Sequence, residues 1–356
     1  MEIIMAKIKV GIIGVGNISE SHLQGYFQNE NVEVYAFCDI DAEKLARKAK
    51  LHGIERTYTD VHEMLALDEI DAVSVCVWNV SHYECTMAAL KAGKHVLCEK
   101  PLAMNAKQAE EMRAEAEKQG KLLMVGFVMR FADESRIALD LINDGALGDI
   151  YYSKATYLRR HGCPGGWFSD SNRSGGGPVI DLGVHVIDHT RYLMGKPKPV
   201  SVYAATFDML KNRPWLKTNV GWKPEDASDA DKCDVEDLAI ALIRYDNGAV
   251  TLLETSYSLN GNGVTAKDLY GTKGGLALAG QPKLYTTVSG YLADVDLTTR
   301  NLKAGGKDMF VQEVDHFVDC IVNGTKCIAP AEDGVVVMKI LDAIYESAKT
   351  GHEVIL

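Results

Sequence analysis

The sequence lacks several features that would place it in other classes of protein. No run of apolar residues approaches the roughly 18 that are needed to cross a bilayer. None of the eight cysteines forms a C-x-x-C pair, and a disulfide framework is not expected in a chain of this length. The net charge of −11 argues against binding of nucleic acid through a basic face. Neither an internal repeat nor a low-complexity tract is found.

What is present is an ordinary globular composition. The chain has 356 residues, of which 47% are hydrophobic and 24% are charged. This length is sufficient for two domains of typical size with large cores. Cys38, Cys76 and Cys98 lie inside apolar runs, which favours buried, reduced thiols and a cytoplasmic protein.

Strand-like and helix-like segments alternate over the first third of the chain. The apolar run Ile8 to Ile13 predicts a strand that is buried on both faces, and Val32 to Cys38 predicts another strand. Helix-like segments such as Ala106 to Gln119 follow them. This alternation predicts a parallel sheet covered by helices on both faces, and we expect residues 1–128 to form a dinucleotide-binding Rossmann domain.

The pattern changes in the remainder of the chain. Ile150 to Leu158 and Val200 to Thr206 predict longer strands, and Asp246-Asn247-Gly248 predicts a hairpin turn. The acid-rich run of residues 224–237 is expected to be a solvated connection. We therefore expect residues 129–356 to form an α+β domain with a large, mainly antiparallel open sheet, which binds substrate and supports oligomerisation.

A glycine-rich turn directly follows the first predicted strand and opens the first helix. Gly14 permits the tight turn, and Gly16 lets the backbone approach a pyrophosphate at the helix N-terminus. Ser19 replaces the third glycine of the pattern and is small enough for close packing. Asp39 ends the second strand, where a carboxylate would bind the adenosine ribose and repel a 2′-phosphate, so NAD is favoured over NADP. The alternative is a Rossmann-like domain that binds no nucleotide. The predicted cofactor-binding residues of this segment are Gly14, Gly16, Asn17, Ile18 and Asp39.

Several further motifs occur in a defined order along the chain. They are Trp78-Asn79-Val80-Ser81-His82, Gly93-Lys94-His95-Val96, Glu99-Lys100-Pro101, Gly176-Gly177-Pro178, Asp181-Leu182-Gly183-Val184-His185 and Asp188. In this order they resemble the glucose–fructose oxidoreductase and inositol dehydrogenase family, known as Gfo/Idh/MocA, over nearly the whole chain.

The resemblance implies both a fold and an activity. It implies a Rossmann domain joined to an α+β domain whose open sheet often serves as an oligomer interface, so we expect a homo-oligomer, either a dimer or a tetramer. It also implies hydride transfer between NAD and a carbinol carbon, commonly on a sugar or cyclitol. The further cofactor-binding residues that it implies are Trp78, Asn79, His82, Glu99 and Lys100.

The chemistry of three residues in these motifs fits catalysis. Lys100 follows a parallel strand at its carboxyl end, the edge where open α/β sheets bind ligands, and could hydrogen-bond the reacting oxygen. Asp181 and His185 are four residues apart, hence on one helix face if the segment is helical. His185 suits the role of base at neutral pH, with Asp181 orienting it or binding a hydroxyl. We expect Lys100, Asp181 and His185 to converge beside the nicotinamide; the alternatives are a surface lysine and a core histidine.

The sequence allows two interpretations of the polar and aromatic residues that follow the strand ending at Leu158. The segment containing Arg159, His161 and Trp167 could line a sugar site or could be a solvated loop, and the sequence favours neither. We assign Arg159 and His161 to the substrate, with Asp181 and His185, and Trp167 to the cofactor. His185 and His189 have the spacing of a helical zinc pair, but no H-E-x-x-H signature accompanies them, so no metal is predicted.

Three functions are compatible with these observations. The leading hypothesis is an NAD-dependent dehydrogenase that oxidises a secondary hydroxyl, with C3 as a candidate position, of a sugar, glycoside or cyclitol. The alternative is a glycoside-cleaving enzyme that oxidises C3 transiently, eliminates and reduces again. A third is a regulator that senses NAD without catalysis, against which the joint presence of Lys100, Asp181 and His185 argues. The expected partner is a small molecule, with neither nucleic acid nor membrane.

Overall fold

The computed structural model describes residues 7–210, 223–228, 231, 233–297 and 307–356. The chain divides into two compact units that are not continuous in sequence. The first comprises Met1–Val128 and Lys307–Val335, and the second comprises Met129–Gly306 and Val336–Leu356. The sequence predicts that all residues from 129 onwards form one functional domain. The compact units do not test this division by function, so it stays a prediction.

The first unit is built on a parallel sheet, as the alternating pattern predicted. Elements are numbered along the chain. The strands of this sheet are β1 (Ile8–Ile13), β2 (Val32–Cys38), β3 (Thr57–Tyr58), β4 (Ala72–Val75), β5 (His95–Glu99) and β6 (Leu123–Gly126). Their order is β3-β2-β1-β4-β5-β6, so the direction of winding reverses between β1 and β4. This reversal is the place where doubly wound sheets bind ligands, and the predicted Rossmann fold is confirmed.

Helices accompany the strands of the first unit. They are α1 (Asn17–Gln28), α2 (Ala42–His52), α3 (Val61–Leu65), α4 (Asn79–Lys91) and α5 (Ala106–Gln119). The predicted bounds of α5 are confirmed because its ends carry clear signals. The side chain of Asn105 accepts a hydrogen bond from the Gln108 N–H, and Gly120 adopts the left-handed conformation that ends the helix.

A helix from the C-terminal part of the chain also packs in the first unit. This helix, α9 (Met309–Asn323), contacts α1. At the contact, a Cβ atom added to Gly25 would lie 2.6 Å from the Cβ of Val314, so the close approach of the two helices requires glycine. The packing partner of α9 lies almost 300 residues earlier in the chain, and no local sequence pattern predicts this contact.

The second unit contains a nine-stranded sheet. Its strands are β7 (Ile150–Leu158), β8 (Pro199–Phe207), β9 (Leu238–Tyr245), β10 (Val250–Ser256), β11 (Val264–Gly271), β12 (Gly275–Ala277), β13 (Lys283–Val288), β14 (Tyr291–Asp296) and β15 (Val354–Ile355). The order is β14-β13-β12-β11-β7-β10-β9-β8-β15. Among the described strands of this nine-stranded sheet, β10 and β7 are the one pair that is parallel. The mainly antiparallel sheet and the β9–β10 hairpin are therefore confirmed.

Helices pack beside this sheet, and its two faces differ. The helices are α6 (Asp133–Asn143), α7 (Ser171–Ser174), α8 (Val184–Leu193) and α10 (Ala331–Thr350), the last of which begins in the first unit. Along β9, Ala239, Ala241 and Ile243 are buried, whereas Ile240 and Leu242 remain 42% and 46% exposed. The sheet thus has an apolar outer face. Among the described residues, no helix has the length and hydrophobicity required to cross a membrane.

Candidate active site

The glycine-rich turn has the geometry of a dinucleotide-binding loop. Gly14 has a φ of +87°, and a Cβ there would lie 2.6 Å from the carbonyl oxygen of Cys76, so only glycine fits. Gly16 precedes α1 without a side-chain cap, and nothing lies within 4 Å of the position a Cβ would take. The first N–H groups of α1 are therefore accessible to an anion such as a pyrophosphate. Ser19 is buried and its hydroxyl donates to the Gly16 carbonyl at 2.7 Å.

Asp39 holds this turn from the end of β2. Its Oδ2 accepts a hydrogen bond from the Val15 N–H at 2.9 Å, and its Oδ1 accepts one from the Asp41 N–H at 2.9 Å. The ammonium of Lys44 lies 3.2 Å from Oδ2. A carboxylate fixed in this way has lone pairs left for ribose hydroxyls, as NAD requires. The turn and Asp39 together fit a bound NAD.

His82 connects two segments that follow neighbouring strands. Its Nδ1 lies 2.7 Å from the Pro101 carbonyl oxygen, and its Nε2 lies 3.1 Å from that of Val77. Burial lowers the pKa of His82, with its hydrogen bonds to the two carbonyl groups opposing this effect. The ring thus positions the segments after β4 and β5, and its direct contact with the cofactor stays a prediction. Trp78 and Asn79 lie at the start of α4, where Trp78 is 37% exposed and Asn79 is buried.

Glu99 and Lys100 lie at the end of β5, at the carboxyl edge of the sheet. The Oε1 of Glu99 lies 2.9 Å from Nε2 of His22, and its Oε2 accepts the Lys100 backbone N–H at 3.1 Å. The Nδ1 of His22 lies 3.0 Å from the Ser74 hydroxyl oxygen. The carboxylate of Glu99 is therefore part of a buried polar network beneath Lys100, whose side chain is half-buried.

Glu313 of α9 extends this network and was not predicted. Its side chain is fully buried, and among the described residues neither carboxylate oxygen has a hydrogen-bond partner. A carboxylate oxygen of Glu313 lies within 4.8 Å of His22 and Glu99. Burial, and then the nearby Glu99, raise the pKa of Glu313 well above its ordinary value. Both effects favour the protonated form of Glu313.

In the second unit, Asp181 is the centre of a group of polar side chains. It lies in a π-helical turn (Val179–Gly183) that continues into α8, and such turns occur frequently at functional sites. The Tyr257 hydroxyl donates to its Oδ2 at 3.1 Å, and Nη1 of Arg159 lies 4.0 Å from the same atom. Arg159 also donates to the Tyr157 hydroxyl at 3.1 Å. The structure thus brings the predicted Arg159 and Asp181 together and adds Tyr257.

The acid-rich run does more than connect two elements. Glu236 accepts the N–H groups of Gly177 and Val179 at 3.0 and 3.1 Å and the Tyr345 hydroxyl at 3.0 Å. The expectation of a merely solvated connection is wrong for four acids of this run, Glu236 among them, because their carboxylates accept backbone N–H groups of the loop before Asp181. Asp229 lies outside the described residues. The other acids that bind this loop are Asp226, Asp231 and Asp234.

The remaining predicted residues differ in their surroundings. His185 lies on α8 four positions after Asp181, on the same side of one continuous helical segment, and its Nδ1 is buried. His189 is buried and its Nε2 contacts the Ser135 hydroxyl; burial lowers its pKa. His161 is exposed. The Trp167 ring packs on Phe168 with centroids 3.9 Å apart. The roles assigned to these residues, and the absence of a metal, stay predictions.

Comparison with known proteins agrees with this geometry. Residues 8–127 match the family model described as the oxidoreductase family with an NAD-binding Rossmann fold, and residues 140–356 match its C-terminal α/β domain. D-glucoside 3-dehydrogenase of Escherichia coli K12 is 34% identical over 98% of this chain and 97% of its own length. Myo-inositol 2-dehydrogenase of Thermotoga maritima is 28% identical over 70% of this chain and 68% of its own.

Solved structures show the same architecture. A levoglucosan dehydrogenase in complex with NADH superposes with a TM-score of 0.86 at 25% identity, covering 98% of this chain and 99% of that one. The two family models together span most of the chain, and the glycine turn with Asp39 fits the same cofactor. The chain belongs to the Gfo/Idh/MocA family and is an NAD-dependent oxidoreductase.

Proposed function

We propose that the enzyme oxidises a secondary hydroxyl of a sugar, glycoside or cyclitol, with C3 of a glucoside as the leading position. The observation that carries this proposal is the 34% identity over nearly the full length of both chains to a protein named D-glucoside 3-dehydrogenase. The chemical groups that such a reaction needs, a base and hydrogen-bond donors for a carbinol oxygen, are available in Lys100, Asp181 and His185.

Each of these residues has one task in the proposed reaction. NAD, which the glycine turn and Asp39 would hold, would supply the acceptor for the hydride of the carbinol carbon. The imidazole of His185 takes the hydroxyl proton, so that the carbinol becomes a carbonyl and charge is balanced. The ammonium of Lys100 donates a hydrogen bond to the oxygen on which negative charge develops. Lys100 and His185 are thus proposed to act on the same carbinol.

The group around Asp181 is proposed to bind and orient the substrate. The Asp181 carboxylate can accept hydrogen bonds from sugar hydroxyls while Tyr257 and Arg159 fix its position. Since Asp181 and His185 project from one side of the same helical segment, a hydroxyl held by Asp181 would lie beside the His185 ring. The predicted role of His161 in binding substrate has less support, because its side chain is exposed.

Assembly and location form a second part of the proposal. The outer face of the nine-stranded sheet exposes a row of apolar side chains, which includes Tyr203, Ile240, Leu242 and Ile355. Tyr203 and Leu242 are direct neighbours across β8 and β9. A continuous apolar face of this kind favours association with a second copy, so we propose a homo-oligomer. The eight cysteines, all of them among the described residues, form no disulfide, in keeping with the proposed cytoplasmic location.

A substrate screen tests the activity. Purified enzyme with NAD is offered glucosides, free sugars and inositols, and the absorbance of reduced nicotinamide is followed. Stoichiometric accumulation of NADH supports a dehydrogenase. Cleavage of a glycoside without NADH accumulation would instead support the alternative, which the names of the relatives do not favour.

Isotope transfer identifies the oxidised carbon. A glucoside carrying deuterium only at C3 should yield NADH that is heavier by one mass unit, and its oxidation should be slower than that of the unlabelled glucoside. The same sugar labelled at C2 should yield unlabelled NADH at the ordinary rate. Deuterium transfer from C2 alone would overturn the assignment to C3 while leaving the dehydrogenase activity intact.

A further inference from the structure

Two cysteines and a histidine lie together at the end of α9, apart from the residues to which the proposed reaction assigns roles. One side-chain atom from each of His316, Cys320 and Cys327 lies within 4.8 Å of the other two, and all three residues are half-buried. The Cys320 sulfur lies 3.4 Å from Nε2 of His316. Both thiols are therefore next to each other and next to an imidazole.

The local chain path explains this proximity. His316 and Cys320 are four residues apart and project from one face of α9. Gly324 ends the helix in the left-handed conformation, and the chain then turns back so that the Ile328 N–H donates to Nε2 of His316 at 3.0 Å. Nε2 must therefore carry a lone pair, and the ring proton lies on Nδ1.

This tautomer favours thiol chemistry over metal binding. Coordination of a metal ion by Nε2 would displace the Ile328 N–H from its acceptor, whereas a second and longer hydrogen bond from the Cys320 thiol, at 3.4 Å, can share the lone pair with that N–H. A hydrogen bond from Cys327 lowers the pKa of Cys320, and burial and Asp319 oppose this effect. The pKa of Cys327 is raised by its hydrogen bond with Cys320 and by burial, and its hydrogen bonds with His316 and with the Ala329 backbone oppose this rise. Cys320 is thus the more nucleophilic thiol, and Cys327 is placed to react with it.

We propose that Cys320 and Cys327 are a reversible oxidation site, which forms an intramolecular disulfide with a hydroperoxide as the oxidant. The Cys320 sulfur attacks a peroxide oxygen, the O–O bond breaks, and one water leaves, so that Cys320 becomes a sulfenic acid. The Cys327 sulfur then attacks the Cys320 sulfur, the S–O bond breaks, and a second water leaves. Two thiols and one hydrogen peroxide give one disulfide and two waters, and a dithiol reductant reverses the change.

The disulfide would restrain the segment that follows α9 and borders the parallel sheet of the first unit. In this segment the Ala329 carbonyl accepts the N–H of Val125, a residue of β6, at 2.9 Å, and Pro330 forms a bridge with Met124. A cross-link between residues 320 and 327 limits the freedom of the chain between α9 and this edge. We therefore expect the amide of Val125 to exchange with solvent more slowly in the oxidised enzyme.

A second pair of neighbouring cysteines serves as an internal comparison. Cys163 and Cys233 also form a hydrogen bond, which together with burial raises the pKa of Cys163. The Cys233 thiol donates to the Val235 carbonyl oxygen, whereas the Cys320 thiol contacts the imidazole of His316. Under the same mild oxidation this pair should stay reduced while Cys320 and Cys327 react.

Peptide mapping of the NAD-loaded enzyme tests the proposal. Trypsin cleaves after Lys307, Lys326 and Lys339, so Cys320 and Cys327 fall in adjacent peptides that only a disulfide holds together. The enzyme is treated with one molar equivalent of hydrogen peroxide, and the free thiols are blocked with N-ethylmaleimide. The protein is then digested with trypsin, and the peptide masses are measured by mass spectrometry. We expect the two peptides to be linked, two hydrogens lighter than their sum, and to be separated by dithiothreitol.

Variants separate the two steps. In Cys327→Ser, Cys320 should accumulate as a sulfenic acid that dimedone traps, whereas Cys320→Ser should form no linked peptide. His316→Asn should slow oxidation at least about tenfold. Cys85→Ser, a change in another half-buried helical cysteine, should leave the linked peptide unchanged.

Two results would overturn the proposal. One is complete alkylation of both cysteines after peroxide treatment that has oxidised other thiols of the chain. The other is a stoichiometric metal ion in the purified enzyme that both Cys320→Ser and Cys327→Ser remove. Neither result bears on dehydrogenase activity, so the site and the proposed function fail independently.

Discussion

The hydroxyl of Tyr257 donates a hydrogen bond of 3.1 Å to Oδ2 of Asp181, across 76 positions of sequence. Tyr257 is fully buried just after β10, and Asp181 lies in the π-helical turn before α8. Burial and the neighbouring Asp181 raise the pKa of Tyr257 well above its ordinary value, so this hydroxyl remains a donor throughout the physiological range. Tyr257 is therefore a positioning residue that fixes the orientation of the Asp181 carboxylate.

Tyr257→Phe tests this role. Loss of one hydrogen bond to a charged group should lower kcat/KM by about 10- to 100-fold, while the Kd for NAD stays unchanged. The matched control is Tyr245→Phe, which removes a buried hydroxyl that pairs with Thr251 in the same sheet and should leave kcat/KM unchanged. Equal losses in the two variants would show a general effect on the sheet instead of a specific one on Asp181.

The proposed base and donor predict two further variants. His185→Ala should lower kcat by about 10²- to 10⁴-fold, the usual range for a positioned base, with little change in the Kd for NAD. Lys100→Met should lower kcat by a similar factor of about 10²- to 10⁴-fold and weaken NAD binding more, because Lys100 follows the strand end nearest the expected nicotinamide ribose. His62→Ala, a change in an exposed histidine of α3, should leave both constants unchanged. Near-normal turnover of the His185→Ala variant would contradict the assignment of His185 as the base.

Sequence reasoning succeeded where the signal is local. The bounds of β1, β2, β7 and α5 were predicted correctly, because segments rich in apolar, aromatic and β-branched residues mark the strands and Gly120 marks the end of α5. Gly14 could be predicted for the same reason, since the tight turn, the strand before it and the helix after it are adjacent in sequence. Tertiary context is not needed to recognise such elements.

Contacts between segments that are far apart in the sequence were not predicted. Nothing near Tyr257 or Glu236 in the sequence indicates that their side chains bind Asp181 and the N–H groups of Gly177 and Val179. Glu313 carries only a weak signal, an acid on the buried face of α9, and its neighbours His22 and Glu99 come from two other elements. These relationships depend on chain topology, which a single sequence does not encode in any local pattern.

Cofactor preference should depend on a pair of opposite charges. Asp39→Ala removes the carboxylate that would repel a 2′-phosphate and leaves the Lys44 ammonium, now 3.2 Å from that carboxylate, to attract it. We expect the preference for NAD over NADP, measured as the ratio of the two kcat/KM values, to fall at least about tenfold. That factor corresponds to an electrostatic contribution of about 1.4 kcal/mol. Adding Lys44→Ala to Asp39→Ala should reverse part of this gain. A wild-type enzyme that prefers NADP would contradict the role given to Asp39.

The apolar outer face of the second sheet predicts how assembly can be broken. Leu242→Glu places a charge beside Tyr203 on the exposed face, where burial in an interface would be costly. Light scattering should show a smaller assembly than the wild type at the same concentration. Leu51→Glu, at a site on α2 that is 69% exposed in the first unit, should keep the wild-type mass. A wild-type enzyme that is monomeric at micromolar concentration would refute the proposed oligomer.

The buried carboxyl group of Glu313 predicts a specific dependence of stability on pH. In the folded protein its pKa is raised well above the ordinary value by burial and by Glu99, whereas the unfolded chain ionises near the ordinary value. Above the unfolded pKa the folded state therefore holds one more proton than the unfolded state, so the free energy of unfolding falls as pH rises towards the folded pKa. This slope is at most about 1.4 kcal/mol for each pH unit.

Glu313→Gln keeps the shape of the side chain and removes its titration. The free energy of unfolding, measured with urea from about pH 5 to pH 8, should fall less steeply with pH in this variant than in the wild type. The comparison concerns the slope, so an overall change in stability caused by the amide does not affect it. Glu332→Gln, at an exposed acid of α10, should keep the wild-type slope. Parallel curves for wild type and Glu313→Gln would show that Glu313 is already ionised in the folded protein, and the buried network beneath Lys100 would then carry a full negative charge at this position.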